Sequence, residues 1–187
     1  NDLYESHFGV QLEGASVRTF IALEVPARLS EQLGGVAMEL SGHLRGRFLT
    51  HDTYHVTLAF LGDIEPLELD AVKAALDEAT ADCGPIELEP DGLGTFGRPI
   101  NSTLWVGMAE HQALMALAAR VREGLACRGI AFDDKEFVPH VTLARRARVL
   151  CDALPHLKLP AAAASTRVVV MESVLGEKGA RYSELYA

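Results

Sequence analysis

The sequence predicts an α+β fold with antiparallel sheet, organised as two related lobes. Two observations predict it. Segments of strand character do not alternate strictly with segments of helical periodicity, which disfavours a doubly wound parallel sheet. The pentapeptide His-Val-Thr-Leu-Ala also occurs twice, at residues 55–59 and 140–144. Each copy lies in a predicted strand that follows a helix and a loop. The chain therefore reads as a duplicated half, one copy per lobe.

Residues 1–16 lack periodicity and carry no basic or apolar leader pattern. They are expected to be a tail, leaving 17–187 as the folded domain. The β-rich run Thr19–Val25 predicts a buried strand ended by Pro26. Residues 27–43 carry Leu29, Leu33, Val36, Met38 and Leu40 at helical spacing, interrupted by Gly34-Gly35. A short strand near Phe48-Leu49 and a stronger one over Tyr54–Leu61 follow. Pro66 opens a helix over 66–81, with Leu69, Val72, Ala75 and Leu76 on one face. Ile86–Leu93 and Ser102–Met108 read as strands around a turn at Gly94–Asn101. Residues 111–128 form an amphipathic helix through Leu114, Leu117, Val121 and Leu125. A strand at Val138–Ala144, a loop with Pro155 and Pro160, and strands at Arg167–Leu175 and Tyr182–Tyr186 complete the order.

The composition is that of a globular protein: 187 residues, 49% hydrophobic and 23% charged. A formal net charge of −9 should repel a long nucleic-acid backbone, so any nucleic acid would be held locally, at an end or a single nucleotide. Cys83, Cys127 and Cys151 are odd in number and far apart. That spacing favours reduced thiols in the cytoplasm over a disulfide framework or structural zinc. No apolar run approaches the ~20 residues that span a bilayer, so no membrane partner is expected. Asp63–Asp91 holds ten acidic residues and one lysine, a solvated face. Arg45 and Arg47 precede the first motif, and Arg145, Arg146 and Arg148 follow the second. Meeting at a groove rim, they would offset the global charge where an anion enters.

The motif carries the chemistry. Side chains two apart on a strand share a face, so His55 stands beside Thr57 and His140 beside Thr142. Val56, Leu58, Val141 and Leu143 point into the core. If an approximate two-fold relates the lobes, two imidazoles and two hydroxyls converge on one small groove. That set suits displacement at a phosphodiester, which needs a base for the nucleophile and an acid for the leaving oxygen. An ordinary pKa near 6.5 lets one histidine be neutral and the other protonated near pH 7. The threonine hydroxyls can donate to the non-bridging oxygens. A metal site is the rival reading, but neither histidine has an Asp, Glu or Cys two or four residues on to complete a ligand set.

These residues resemble the paired signature of the two-histidine (2H) phosphoesterases. The extended motifs His55-Val56-Thr57-Leu58-Ala59-Phe60-Leu61-Gly62 and Pro139-His140-Val141-Thr142-Leu143-Ala144-Arg145, with the opening Arg18-Thr19-Phe20-Ile21-Ala22-Leu23, resemble its RNA 2′,3′-cyclic phosphodiesterases, also called 2′-5′ RNA ligases. The resemblance covers residues 17–187. It implies a bilobal duplicated fold in which two antiparallel sheets face a central groove, with helices outside and no metal or other cofactor. It implies opening of a 2′,3′-cyclic phosphate at an RNA 3′ end to a 2′-phosphate, with a reversible 2′-5′ joining activity. In that scheme His55 protonates the leaving 3′-oxygen and His140 activates water. Arg145 matches a phosphate-contacting arginine, against a reading as one of a solvated arginine cluster. Phe60 matches a position able to stack a nucleobase, against a reading as a core aromatic. Strict alternation places both on the face opposite the histidines, and a bulge after each motif would bring them back.

His51 reads as a surface loop residue, His43, His111 and His156 as ordinary helix or loop residues, and Trp105 as core. The expected partners are RNA 3′ ends or small cyclic-phosphate nucleotides, acted on by a monomer with no obligate protein partner. Two other functions compete: the same chemistry on 2′-5′ oligoadenylates or ADP-ribose cyclic phosphate, and a non-catalytic RNA-end-binding module.

Overall fold

The computed structural model describes residues 16–150, 154–177 and 179–187. The expected tail lies outside these residues except for Ser16, and so does Cys151. Ser16 is not tail: it opens the first strand, β1 (Ser16–Glu24). Helix α1 (Ala27–Ser41) and β2 (Arg45–Phe48) follow, then a 3₁₀ turn at His51–Thr53, β3 (His55–Gly62) and α2 (Pro66–Thr80). The second half contains β4 (Ile86–Leu88), β5 (Pro90–Arg98), β6 (Asn101–Met108), α3 (Gln112–Cys127) and β7 (His140–Arg148). It ends with β8 (Ala163–Ser165), β9 (Val168–Gly176) and β10 (Gly179–Tyr186).

Two four-stranded antiparallel sheets result, ordered β10-β9-β1-β3 and β2-β7-β6-β5, with β4-β8 as a small separate pair. The expected α+β fold with two antiparallel sheets is therefore what the chain adopts. In each large sheet the histidine strand (β3 or β7) pairs with the strand before the preceding helix or segment (β1 or β6). The helices bury most of their predicted apolar faces: Leu29, Leu33, Val36 and Leu40 on α1, Val72, Ala75 and Leu76 on α2, and Leu114, Leu117, Val121 and Leu125 on α3. Two predicted members differ: Met38 lies off the α1 stripe and is 77% exposed, and Leu69, in the first turn of α2, is half-buried. Pro66 occupies the first turn of α2, and a reciprocal Glu65–Glu68 capping box satisfies two of its orphan N–H groups.

Four local expectations need correction. Gly34-Gly35 does not interrupt α1; a Cβ at Gly34 would come 3.1 Å from the His51 side chain, so the glycine admits a close approach. The run expected as one strand over Ile86–Leu93 divides at Glu89, because its two halves join different sheets. The expected turn at Gly94–Asn101 is mostly strand, tightening only at Pro99-Ile100. A Cβ at Gly94 would fall inside the Trp105 indole, so that glycine serves packing across the sheet. The loop after β7 contains the short strand β8, whose alanine-rich sequence gives little strand signal.

The feature that positions the site is a pair of matching irregularities. Ile21 pairs with Ala59 while Ala22 pairs with Thr57, leaving Leu58 as an extra residue. Leu104 pairs with Ala144 while Trp105 pairs with Thr142, leaving Leu143 extra. Each is a β-bulge, which reverses the alternation beyond it. Leu58-Ala59 and Leu143-Ala144 are consecutive buried residues, impossible for strict alternation on a one-sided sheet. The freed carbonyls are bonded elsewhere: Arg122 Nε donates to Leu58 O (3.0 Å), and Leu49 N–H to Leu143 O (2.8 Å). Arg122 also donates to Lys135 O (2.8 Å) and lies over the Phe132 and Phe137 rings. Replacing it with methionine should strip a charge-assisted bond from a buried carbonyl and cost about 2 kcal/mol. The urea midpoint would report this; an unchanged midpoint would show that the bulge does not need the guanidinium.

Candidate active site

His55 and His140 each open their strand, in equivalent positions. The backbone immediately before each histidine holds its ring. His55 Nδ1 lies 2.8 Å from Thr53 O, and His140 Nδ1 lies 2.6 Å from Val138 O. A carbonyl can only accept, so both Nδ1 atoms carry hydrogen and donate. The neutral tautomer is thereby fixed, and Nε2 is left as the reactive nitrogen on both rings. This i−2 carbonyl lock has no signal in the motif itself.

The bulges bring the predicted partners to the histidine side. The accessible positions run His55, Thr57, Phe60 on β3 and His140, Thr142, Arg145 on β7, all partly exposed except Arg145, which is exposed, with buried residues between. Neither threonine hydroxyl is engaged by another described residue. The charge of Arg145 acts on both imidazoles, and that of His140 acts on His55. All three groups therefore share one groove, as the bulge reading of Arg145 requires.

Burial pushes His55 down to about 4, against the Thr53 carbonyl, which favours the protonated ring; Arg145 and His140 add to the depression. Burial also lowers His140, opposed by Val138 O and reinforced by Arg145. The expected split, one ring neutral and one protonated near pH 7, is not what the site favours: desolvation and a shared guanidinium act on both copies in the same direction and favour the neutral form of each.

Aromatic walls complete the site, and sequence reading missed most of them. Phe20 stacks on His55 (4.8 Å between centroids), and Tyr182 meets it edge-on (5.4 Å). Phe60 lies parallel to Phe20 at 6.5 Å, with Arg18 over its ring at 6.0 Å. Opposite, Phe96 (5.1 Å) and Trp105 (5.7 Å) flank His140. Trp105 is therefore a wall of the site, not core. The usable signal was register: Trp105 pairs with Thr142 and so shares its face. Phe96 sat in the presumed turn. Of the remaining histidines, His111 pairs with Glu89 (2.6 Å) and His51 is exposed on the turn before β3. Among the described residues, no three His, Cys, Asp or Glu side chains converge as a metal site would require.

The His55 depression makes stability depend on pH. The unfolded chain protonates this ring near 6.5 and the folded chain only near 4, so the unfolded state binds more protons between those values. Stability should be full above pH 6.5 and fall as pH drops through that window, by an order of about 3 kcal/mol. Urea unfolding of the intact protein and His55→Asn at pH 7 and pH 4.5 would measure it. A loss of the same size in both proteins would remove His55 as its source.

The family model of the 2′-5′ RNA ligase superfamily matches residues 25–176. The RNA 2′,3′-cyclic phosphodiesterase of Geobacillus stearothermophilus is 34% identical over 158 residues, covering 83% of this chain and 50% of that protein. The chain thus spans half the length of that relative. The RNA 2′,3′-cyclic phosphodiesterase of Archaeoglobus fulgidus is 31% identical over 133 residues, covering 71% of this chain and 74% of its own. Escherichia coli LigT, solved with 3′-AMP, superposes with a TM-score of 0.76 at 26% identity, over 91% of this chain and 95% of LigT. By fold and by sequence, the chain belongs to the 2′-5′ RNA ligase superfamily, beside its RNA 2′,3′-cyclic phosphodiesterases.

Proposed function

We propose that this chain hydrolyses the 2′,3′-cyclic phosphate at RNA 3′ ends to a 2′-phosphate, using His55 and His140 and no metal. The observation that carries the proposal is the pair of identically locked imidazoles sharing one groove with Arg145. The names of the relatives support the substrate class. LigT solved with 3′-AMP, with NADP+ and with phosphate supports a groove suited to nucleotides and phosphate.

His140 Nε2 takes a proton from water as its oxygen bonds to phosphorus. The P–O3′ bond breaks, and His55 Nε2–H gives its proton to the departing 3′-oxygen. Arg145 and the hydroxyls of Thr57 and Thr142 bind the non-bridging oxygens as charge gathers there. Phe60 and the ring beside it offer an aromatic face to the terminal base. A ribose 5′-hydroxyl in place of water attacks the same phosphorus with the same P–O3′ bond breaking, and the product is a 2′-5′ linkage; the exchange is reversible. The groove is complete within one chain, which supports action as a monomer. No helix among the described residues is long and apolar enough to cross a membrane.

Since the site favours the neutral form of both rings, the acid must gain its proton as substrate binds. A phosphate anion beside Arg145 offsets that positive charge and raises both histidines. The singly protonated pair of the free protein is most populated between the two depressed values, on the acid side of 6.5. The kcat/KM profile should therefore peak there, and the kcat profile should lie at higher pH. Arg145→Gln should lower kcat/KM and move its optimum upward, because one cause of both depressions is gone. An optimum that stays in place would separate Arg145 from the titrating pair.

The decisive assay is turnover, in EDTA, of an RNA oligonucleotide ending in a 2′,3′-cyclic phosphate. His55→Ala and His140→Ala should each lose about 10²–10⁴-fold in rate. Activity that requires added divalent metal, or that survives either substitution, would overturn the mechanism. No turnover by the intact protein would leave the alternatives: another cyclic phosphate, or binding without chemistry.

A further inference from the structure

Strand β2 leaves the first half of the chain and pairs with β7 of the second. Arg47 pairs with Arg145 and Arg45 with Arg148, although these partners are two apart on β2 and three apart on β7. The extra residue is Arg146, at φ 50°. Gly46 seats against Ala147, where a Cβ would come 3.0 Å from the Ala147 Cα, so the two strands close tightly around the bulge. Residues directly opposite in an antiparallel pair share a face, and so do residues i and i+2. Arg45, Arg47, Arg145 and Arg148 therefore project from one face of this ladder. That face is the groove face, because Arg145 acts on both histidines and the Arg47 guanidinium lies against Gly179 at the start of β10. Without the left-handed bulge, Arg148 would point away from Arg145.

Five of the chain's 17 lysines and arginines thus lie on two short paired strands of a molecule with net charge −9. Among the described residues, Arg45, Arg146 and Arg148 have no carboxylate partner. The ladder ends in an open cavity of about 810 Å³ with a mainly apolar lining, Leu44, Val149, Leu150, Leu154 and Pro155, at which His43 and His156 join Arg45 and Arg148. Because the bulge takes up Arg146, Arg148 stands beyond Arg145 by the same two-residue step that separates Arg45 from Arg47, roughly 7 Å. The far pair is thus one step further along the ladder than a phosphate held beside Arg145.

We propose that this ladder is the track for the RNA strand that leads to the cyclic end, with Arg45 and Arg148 holding backbone phosphates upstream of the terminal nucleotide. The inference rests on the phosphodiesterase reading and adds to it: the substrate is an oligonucleotide end, not a free cyclic nucleotide. Phosphates position a strand without reading its sequence, so the track is indifferent to base order. It also gives an otherwise acidic protein one surface on which a polyanion gains by continuing past the active site.

The test compares 2′,3′-cyclic CMP with a ten-nucleotide RNA ending in 2′,3′-cyclic phosphate. The proteins are the intact chain, Arg45→Gln/Arg148→Gln, and Arg28→Gln as an exposed arginine on α1. The double variant should lose about tenfold in kcat/KM on the oligonucleotide and less than about twofold on cyclic CMP. Its dependence of log kcat/KM on log salt should be shallower by about 1.4 for the oligonucleotide, about 0.7 per lost contact. Arg28→Gln should change neither substrate. Equal losses on both substrates, no loss on either, or a loss matched by Arg28→Gln would overturn the track. If the intact protein turns over neither substrate, the phosphodiesterase reading fails by itself. Fluorescence anisotropy of the same RNA then decides the track: weaker binding by the double variant alone supports it, and equal binding overturns it.

Discussion

A bulge at the same place in each histidine strand organises this molecule. Leu58 and Leu143 enter the core together with the alanines that follow them, and the next side chains, Phe60 and Arg145, change face. Without that reversal, Arg145 would point into the core side of its sheet, where an unpaired guanidinium is prohibitively costly. Phe60 would leave the aromatic row beside His55. The histidine-to-threonine spacing needs only the ordinary alternation of a strand. The reach of the site from threonine to arginine needs the bulge. Its repetition at the same place in both lobes means that the two halves share a local deformation as well as a topology.

The deformation is held by groups outside the strands that carry it. Arg122 comes from a helix and takes the Leu58 carbonyl; Leu49, between β2 and the 3₁₀ turn, takes the Leu143 carbonyl. The carbonyls of Thr53 and Val138 then orient the rings. The geometry of the two imidazoles is thus fixed mainly by backbone atoms, whose positions are set by burial and pairing. The electrostatics follow from the same enclosure: walls that desolvate the imidazoles favour their neutral form.

Much of this was legible in the chain. The helices announce themselves through aliphatic spacing, and α1 and α3 end within two residues of their predicted limits. The paired motif predicted the shared face of each histidine and its threonine, because period-two alternation holds over four residues. Legibility ended where alternation did. A bulge leaves no mark in residue type, since Leu and Ala are unremarkable on a buried strand, so the faces of Arg145 and Phe60 could not be read. Trp105 and Phe96 were misplaced for a related reason. Whether a strand aromatic faces the core or the groove depends on register with a partner far away in sequence. Glycines 94 and 97 suggested a turn, whereas Gly94 makes room for an indole from the neighbouring strand.

The exchange of β2 between halves bears on how the protein comes into being. The second sheet takes its edge from residues 45–48, and the first takes β9 and β10 from residues 168–186. Neither sheet can be completed from its own half of the sequence. During synthesis the first histidine leaves the ribosome long before the strand that flanks β1, and closing such distant pairs is slow. The nascent chain therefore carries a half-formed first sheet until β9 and β10 emerge. The two imidazoles become a pair only once both sheets have closed.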